Sequence, residues 1–133
     1  MSIIFPLAFA FGAFAPLLLR VILGAVFIVH GYPKLFKNFS ETAGFFESIG
    51  IRPSKFWVFV VGAVEFFGGI ALVFGFATQL VAALIAINML GAIAKVKFRQ
   101  GFVGGYEFDL TLLIIALSLI LTGPGAYALD VVF

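Results

Sequence analysis

Long apolar blocks separated by short polar clusters dominate this chain. Four blocks are long enough to cross a bilayer as helix, since about 20 residues at 1.5 Å each cover its hydrocarbon core. They lie near residues 15–32, 55–76, 78–96 and 106–122. The pattern predicts an all-α fold, an integral membrane four-helix bundle in which residues 1–133 form a single domain. The link Gly75-Phe76-Ala77-Thr78 is so short that the second and third spans must be antiparallel neighbours. Gly123-Pro124-Gly125 stops the fourth.

The connection 33–54 is more than plain loop. Ser40 is placed to cap a short helix with Phe45, Phe46 and Ile49 on one side, before Gly50 and Pro53 end it. The expectation is a short interfacial helix between spans one and two, lying in the membrane interface or over the bundle mouth. At the N-terminus, Ala8-Phe9-Ala10 and Ala13-Phe14-Ala15 have the small-residue spacing of a signal peptide, but no basic region precedes them. That segment reads as an uncleaved lead into span one, with Pro16 near the helix start.

Polar groups inside the blocks carry the chemistry. Glu65 is the only charge between Phe56 and Phe76. Its insertion there costs about 2.5–3.5 kcal/mol, so a partner or a role accompanies such an acid. Arg20 and Asn88 also lie inside spans. Helical geometry puts Arg20, Gly24, Phe27, Gly31 and Lys34 on one face of span one, and Glu65, Gly68, Gly69 and Leu72 on one face of span two. Depth then suggests an Arg20–Glu65 ion pair joined by Asn88. Two roles are open to it: a static pair that fixes helix packing, or a polar floor for a quinone head group or a proton-accepting site.

A second cluster, His30, Lys34, Lys95, Glu107 and Asp109, falls near the opposite ends of the spans. His30 reads either as a hydrogen-bonded packing residue or as a proton donor beside a small molecule. Glu107 opens a polar stripe with Thr111, Ser118 and Thr122, from which Asp109 points away. Lys34, Lys95, Asp109 and Asp130 are expected in structural pairing.

Composition sharpens the class. The chain is 64% hydrophobic and 11% charged, against about 45–50% and 25% in soluble domains. A net charge of +2 leaves no basic stripe for nucleic acid, because the Lys and Arg residues are taken up flanking the spans. Lys34, Lys37, Arg52, Lys55, Lys95, Lys97 and Arg99 share one side, which the positive-inside rule assigns to the cytoplasm. Both termini are then expected outside, in a multi-pass protein of the cell (inner) membrane. The absence of cysteine excludes disulfides, thiolate metal sites and cysteine-held iron–sulfur clusters. A single histidine cannot give one haem two histidine ligands. No phosphate loop, dinucleotide fingerprint or metal-ligand spacing appears, so neither a metal nor an intrinsic cofactor is expected.

Five segments occur in a telling order: LLRVILGAVFIVHGYPKLF (18–36), FFESIG (45–50), VEFFGGIALVFG (64–75), GGYEFDLTLLIIAL (104–117) and TGPGAYALD (122–130). Together they resemble the DoxX family. Arg20, His30, Gly31, Lys34, Glu65, Gly68, Gly69, Glu107, Gly123, Gly125 and Asp130 fall on its motif positions. The chain departs from it at Gln79, where Arg is common, at Ala128, where Ser is common, and at the end of span three, where Lys95 and Lys97 stand near a usual His.

The resemblance implies a small four-helix membrane protein linked to quinone-coupled redox metabolism, since relatives include a membrane subunit of thiosulfate:quinone oxidoreductase. The leading expectation is therefore a membrane subunit binding a quinone or similar apolar molecule at a buried Arg20/Glu65 site, with His30 and Glu107 nearer its mouth. Electrons would come from a redox protein partner or directly from a reduced substrate. The alternatives are a non-catalytic anchor or assembly factor for a partner complex, and a small transporter built as a homo-oligomer.

Overall fold

The computed structural model describes residues 5–131; the first four residues of the expected lead segment, Met1–Ile4, lie outside them. After a single helical turn at Pro6–Phe9, the longer helices are α1 (Ala15–Tyr32), α2 (Phe39–Ser48), α3 (Ser54–Phe74), α4 (Thr78–Ala92) and α5 (Glu107–Thr122), and no strand occurs among the described residues. With their adjoining turns, four helical stretches are long and apolar enough to cross a membrane: Gly12–Lys37, Ser54–Phe74, Thr78–Gln100 and Phe102–Thr122. At most 33% of any of these windows is buried inside the protein, so most of each helix is left for lipid.

The four long helices form a ring in which α1 packs on α3 and α5, and α4 packs on the same two. The α1–α3 contact is the most extensive, and glycine makes it possible. A Cβ built on Gly24 would lie 2.5 Å from the Gly69 carbonyl oxygen, and one on Gly69 would lie 2.6 Å from that of Gly24. Backbone therefore meets backbone, and dispersion rather than water exclusion holds the pair, because lipid tails are as apolar as the helix surface. Leu23, Phe27, Leu72, Ile85, Leu112 and Leu119 fill the centre of the ring.

Two helices run on into wider turns that carry lysines. After Tyr32, Pro33 has no N–H to donate, and the backbone loosens over Pro33–Lys37 until the Asn38 N–H reaches the Pro33 carbonyl. Ile93–Lys97 extends α4 in the same way. Lys34 stands on the first of these turns, Lys95 and Lys97 on the second.

The short helix α2 is present and packs against α3. Its start differs from expectation: Asn38 rather than Ser40 precedes it, and no side chain caps it. The Thr42 hydroxyl, which donates to the Asn38 carbonyl at 2.8 Å, reinforces this first turn instead.

The α3–α4 turn closes by a Schellman pattern. Gly75 takes φ +73°, and the Phe76 N–H reaches the Ala71 carbonyl at 2.8 Å. Ala77 follows at φ +50°, costly for a residue with a Cβ, and Asp130 fixes it there. Its carboxylate accepts from the Ala77 N–H at 2.6 Å and the Thr78 N–H at 2.9 Å, both free donors at the start of α4. Burial alone would raise the Asp130 carboxyl, but the hydrogen bonds from Thr78 and Ala77 and the positive charge of Arg20 outweigh it and hold it below the usual carboxylate range.

Because the folded value is the lower one, this contribution to stability is complete above the ordinary Asp range and disappears as pH falls through the depressed value. Asp130→Asn should therefore destabilise the protein at neutral pH and flatten the acid limb of its melting temperature, read by circular dichroism in detergent. An unchanged acid limb would mean that Asp130 is not the group responsible.

Candidate functional site

Arg20 and Glu65 do not meet, which corrects the expected pair. From the Gly24–Gly69 contact, Arg20 lies four residues toward one side and Glu65 four toward the other, about 12 Å apart along the axis at 1.5 Å per residue. Arg20 is fully buried and works as a staple. Its Nη1 donates to the Leu72 and Val73 carbonyls at 3.0 and 3.2 Å, its Nε to Pro124 at 2.9 Å, and its Nη2 to Tyr127. Leu72 and Val73 belong to the last turn of α3, where carbonyls lack helical partners and the dipole favours a cation. Gly75 makes room, since a Cβ there would sit 2.6 Å from Arg20 Nη1.

The partner of Glu65 is Lys34. Its Nζ donates to Oε1 at 2.8 Å and to Oε2 at 2.7 Å. The carboxylate is 3% exposed and the lysine side chain 29%, so the acid is enclosed while the lysine reaches outward. Gly31 permits this approach, because a Cβ on it would stand 2.9 Å from the Glu65 Cβ. Two of the three ammonium donors serve Glu65, which leaves one for another acceptor.

This pair stands where two cavities adjoin, for Lys34 and Glu65 line both. The larger, of about 530 Å³, runs beneath α2 between α3 and α4. Phe45, Phe46, Ile49 and Trp57 form much of its apolar wall, and Thr42, Asn88, Lys95 and Lys97 join Lys34 and Glu65 as its polar members. The Asn88 amide nitrogen is buried without a hydrogen-bond partner. The smaller cavity, of about 180 Å³, brings His30 and Asp109 to the other side of the pair. Asp109 is 6% exposed, and its Oδ2 has no partner.

The remaining expected residues separate. Asn88 reaches the larger cavity but not Arg20. His30 packs its ring on Phe108 at 5.7 Å between centroids. Glu107 lines neither cavity and instead accepts from the Gly104 N–H at 3.1 Å. The stripe behind it turns outward, where the Thr111 and Ser118 hydroxyls satisfy carbonyls of their own helix at 2.8 Å. Asp109 is the buried acid of α5 in its place. Lys34 bonds to Glu65 and Asp130 to the start of α4, whereas Lys95 and Asp109 form no ion pair among the described residues. Gln79 covers one family departure, donating to the Ile120 carbonyl at 2.7 Å in the last turn of α5.

Trp57 and Gly91 were not singled out by the sequence, and Lys97 only as a basic residue flanking span three, yet all three line the larger cavity. Their place in its wall follows from the packing of α2 on α3, which no local pattern announces.

Similarity to known proteins gives the family of the chain. The DoxX family profile matches residues 15–98. The chain is 46% identical over 114 residues to "Putative oxidoreductase CatD" of Bacillus subtilis, covering 86% of this chain and 83% of that protein. It is 32% identical over 125 residues to "Uncharacterized membrane protein Rv3486" of Mycobacterium tuberculosis, covering 84% and 77%. It is also 32% identical over 119 residues to "Inner membrane protein YqjF" of Escherichia coli, covering 86% and 88%. No solved structure shows a significant match. With four apolar helices, the family's profile and relatives along most of its length, this chain belongs to the DoxX family of membrane proteins.

Proposed function

We propose that the protein is a subunit of a quinone-linked redox system in the cell (inner) membrane, and that it holds a quinone in the larger cavity. The observation carrying this reading is an apolar, aromatic chamber with a buried ion pair and an unpartnered amide at its polar side. Its volume of about 530 Å³ falls in the range of small-molecule sites, about 300–1,000 Å³. The free N–H of Lys34 and the amide of Asn88 would bind the carbonyl oxygens of the quinone ring, and Phe45, Phe46 and Trp57 would pack its faces. Lys34 and Glu65 take the place first assigned to Arg20 and Glu65. The name of the Bacillus relative supports an oxidoreductase setting. Electrons would arrive from a redox protein partner or a reduced substrate, because a quinone accepts them but does not originate them.

Gly91 gives a direct test. It lines the cavity, and a Cβ built on it meets no atom within 4 Å. Gly91→Leu should fill the chamber while strengthening α4, since leucine in a helix is favoured over glycine by about 0.5–1 kcal/mol. Trp57 is the single tryptophan and lines the same space, so its fluorescence reports occupancy. Added 1,4-naphthoquinone should quench the parent protein saturably and the Gly91→Leu variant about tenfold more weakly, at a melting temperature no lower than the parent's. Equal quenching of both would remove the quinone from this cavity and favour the second reading, a non-catalytic anchor for a partner complex.

A further inference from the structure

The polar rim of the larger cavity is unbalanced in charge. Lys34, Lys95 and Lys97 line it, against Glu65 as its acid. Glu65 is already neutralised, because both of its oxygens are held by Lys34. Lys95 and Lys97 have no carboxylate within ion-pair distance among the described residues, whose ion pairs are Lys34–Glu65 and Arg52–Glu47. Asp109 and His30 face Lys34 and Lys97 from α5 and α1 across the smaller cavity. Counting Asp109 still leaves three lysines against two acids. Anchoring in lipid head groups accounts for lysines that point away from a bundle, but exposed Lys95 and half-buried Lys97 also line the open side of an apolar cavity. Low-dielectric walls strengthen the field of an unpaired cation, and that field selects an anion. The buried Asn88 nitrogen adds a donor that lacks an acceptor.

We infer that the cavity selects a quinone carrying an ionised ring oxygen, the anion of a hydroxyquinone, over the neutral ring of the same shape. The inference rests on the quinone reading above and adds the charge of its head group. The apolar ring occupies the Phe45–Phe46–Trp57 wall, the ionised oxygen faces Lys95 and Lys97, and the carbonyls take the donors of Asn88 and Lys34. No bond is made or broken in this step, which is binding alone.

The test compares 1,4-naphthoquinone with 2-hydroxy-1,4-naphthoquinone, ionised at neutral pH, by quenching of Trp57 in one detergent. The parent protein should bind the anion about tenfold more tightly, in line with hydrogen bonds to charged groups. In Lys95→Gln/Lys97→Gln that ratio should fall to about one with the affinity for the neutral ring retained, and in Lys95→Arg/Lys97→Arg the preference should survive. Equal affinities in the parent protein overturn the inference and leave the quinone reading standing. Failure of both quinones to quench overturns the two together. Displacement of the hydroxyquinone by palmitate at equal concentration, with no saturable binding of the neutral ring, also overturns both and assigns the chamber to a carboxylate lipid.

Discussion

Lys34→Met should destabilise the bundle by about 3 kcal/mol, because it leaves the Glu65 carboxylate enclosed without its counter-ion. The estimate takes the lower end of the range for a broken buried pair, since the lysine stem is itself 29% exposed. Glu65→Gln should cost less, about 1 kcal/mol, because the freed ammonium can extend toward the surface while the amide keeps one hydrogen bond. Lys34→Met/Glu65→Leu should recover most of the loss of the single lysine variant, since an apolar pair of similar volume has no charge to desolvate. Chemical unfolding in detergent, followed by circular dichroism, gives all three values. The double variant should fold yet no longer bind quinone by Trp57 quenching, which separates the part of the pair in stability from its part in the site. A Lys34→Met protein as stable as the parent would mean that Glu65 draws its compensation from elsewhere.

The glycine contact predicts an effect of similar size from a single methyl group. In Gly69→Ala the new carbon would sit 2.6 Å from the Gly24 carbonyl oxygen and 2.9 Å from the Ile28 backbone nitrogen. Neither obstacle is a side chain that can swing away, so α1 and α3 must separate. Overpacking of this kind costs about 1–3 kcal/mol, and backbone obstacles put it at the upper end. Gly24→Ala should behave alike, and the two together should cost less than their sum, because the first already parts the helices. Gly44→Ala is the internal contrast: a Cβ there meets nothing within 4 Å, so the exchange should stabilise α2 by about 0.5–1 kcal/mol. If Gly69→Ala melted at the parent temperature, the close α1–α3 contact would be wrong.

Those glycines also explain what could and could not be read from residues alone. Span lengths followed directly from apolar blocks, and the turn at Gly75 from its brevity, because both are local properties. The Lys34–Glu65 pair depended on the register of α1 against α3. Gly24 and Gly31 stand seven apart on span one, as Gly62 and Gly69 do on span two. Equal spacing would set Gly31 against Gly62, but in the structure Gly24 meets Gly69 while Gly31 meets Glu65 and Phe66 and Gly62 meets Lys34 and Leu35, and this shifted register brings Lys34 to Glu65. Depth counted from each span's own ends missed this, because it ignored the wide turn that carries α1 past Tyr32 to Lys37. The partners of Arg20 were out of reach for another reason: they are backbone carbonyls, which no residue type announces. Asp109 was misassigned against Glu107 because hydroxyls at 111 and 118 mimic a buried stripe while bonding only to their own helix. The larger cavity depended on how α2 lies over α3, a tertiary contact with no local signature.

Arg20 leaves the ribosome more than a hundred residues ahead of two of its acceptors, which lie 104 and 107 positions downstream. Until residues 124–127 are synthesised, the first hairpin therefore carries a cation only partly matched by the end of α3. An incompletely matched cation inside a span is costly, so burial of Arg20 costs less once the tail's carbonyls are in place. The tail is then a latch in time as well as in space, because the Arg20 cation lacks two of its acceptors until the residues that close over it have been made.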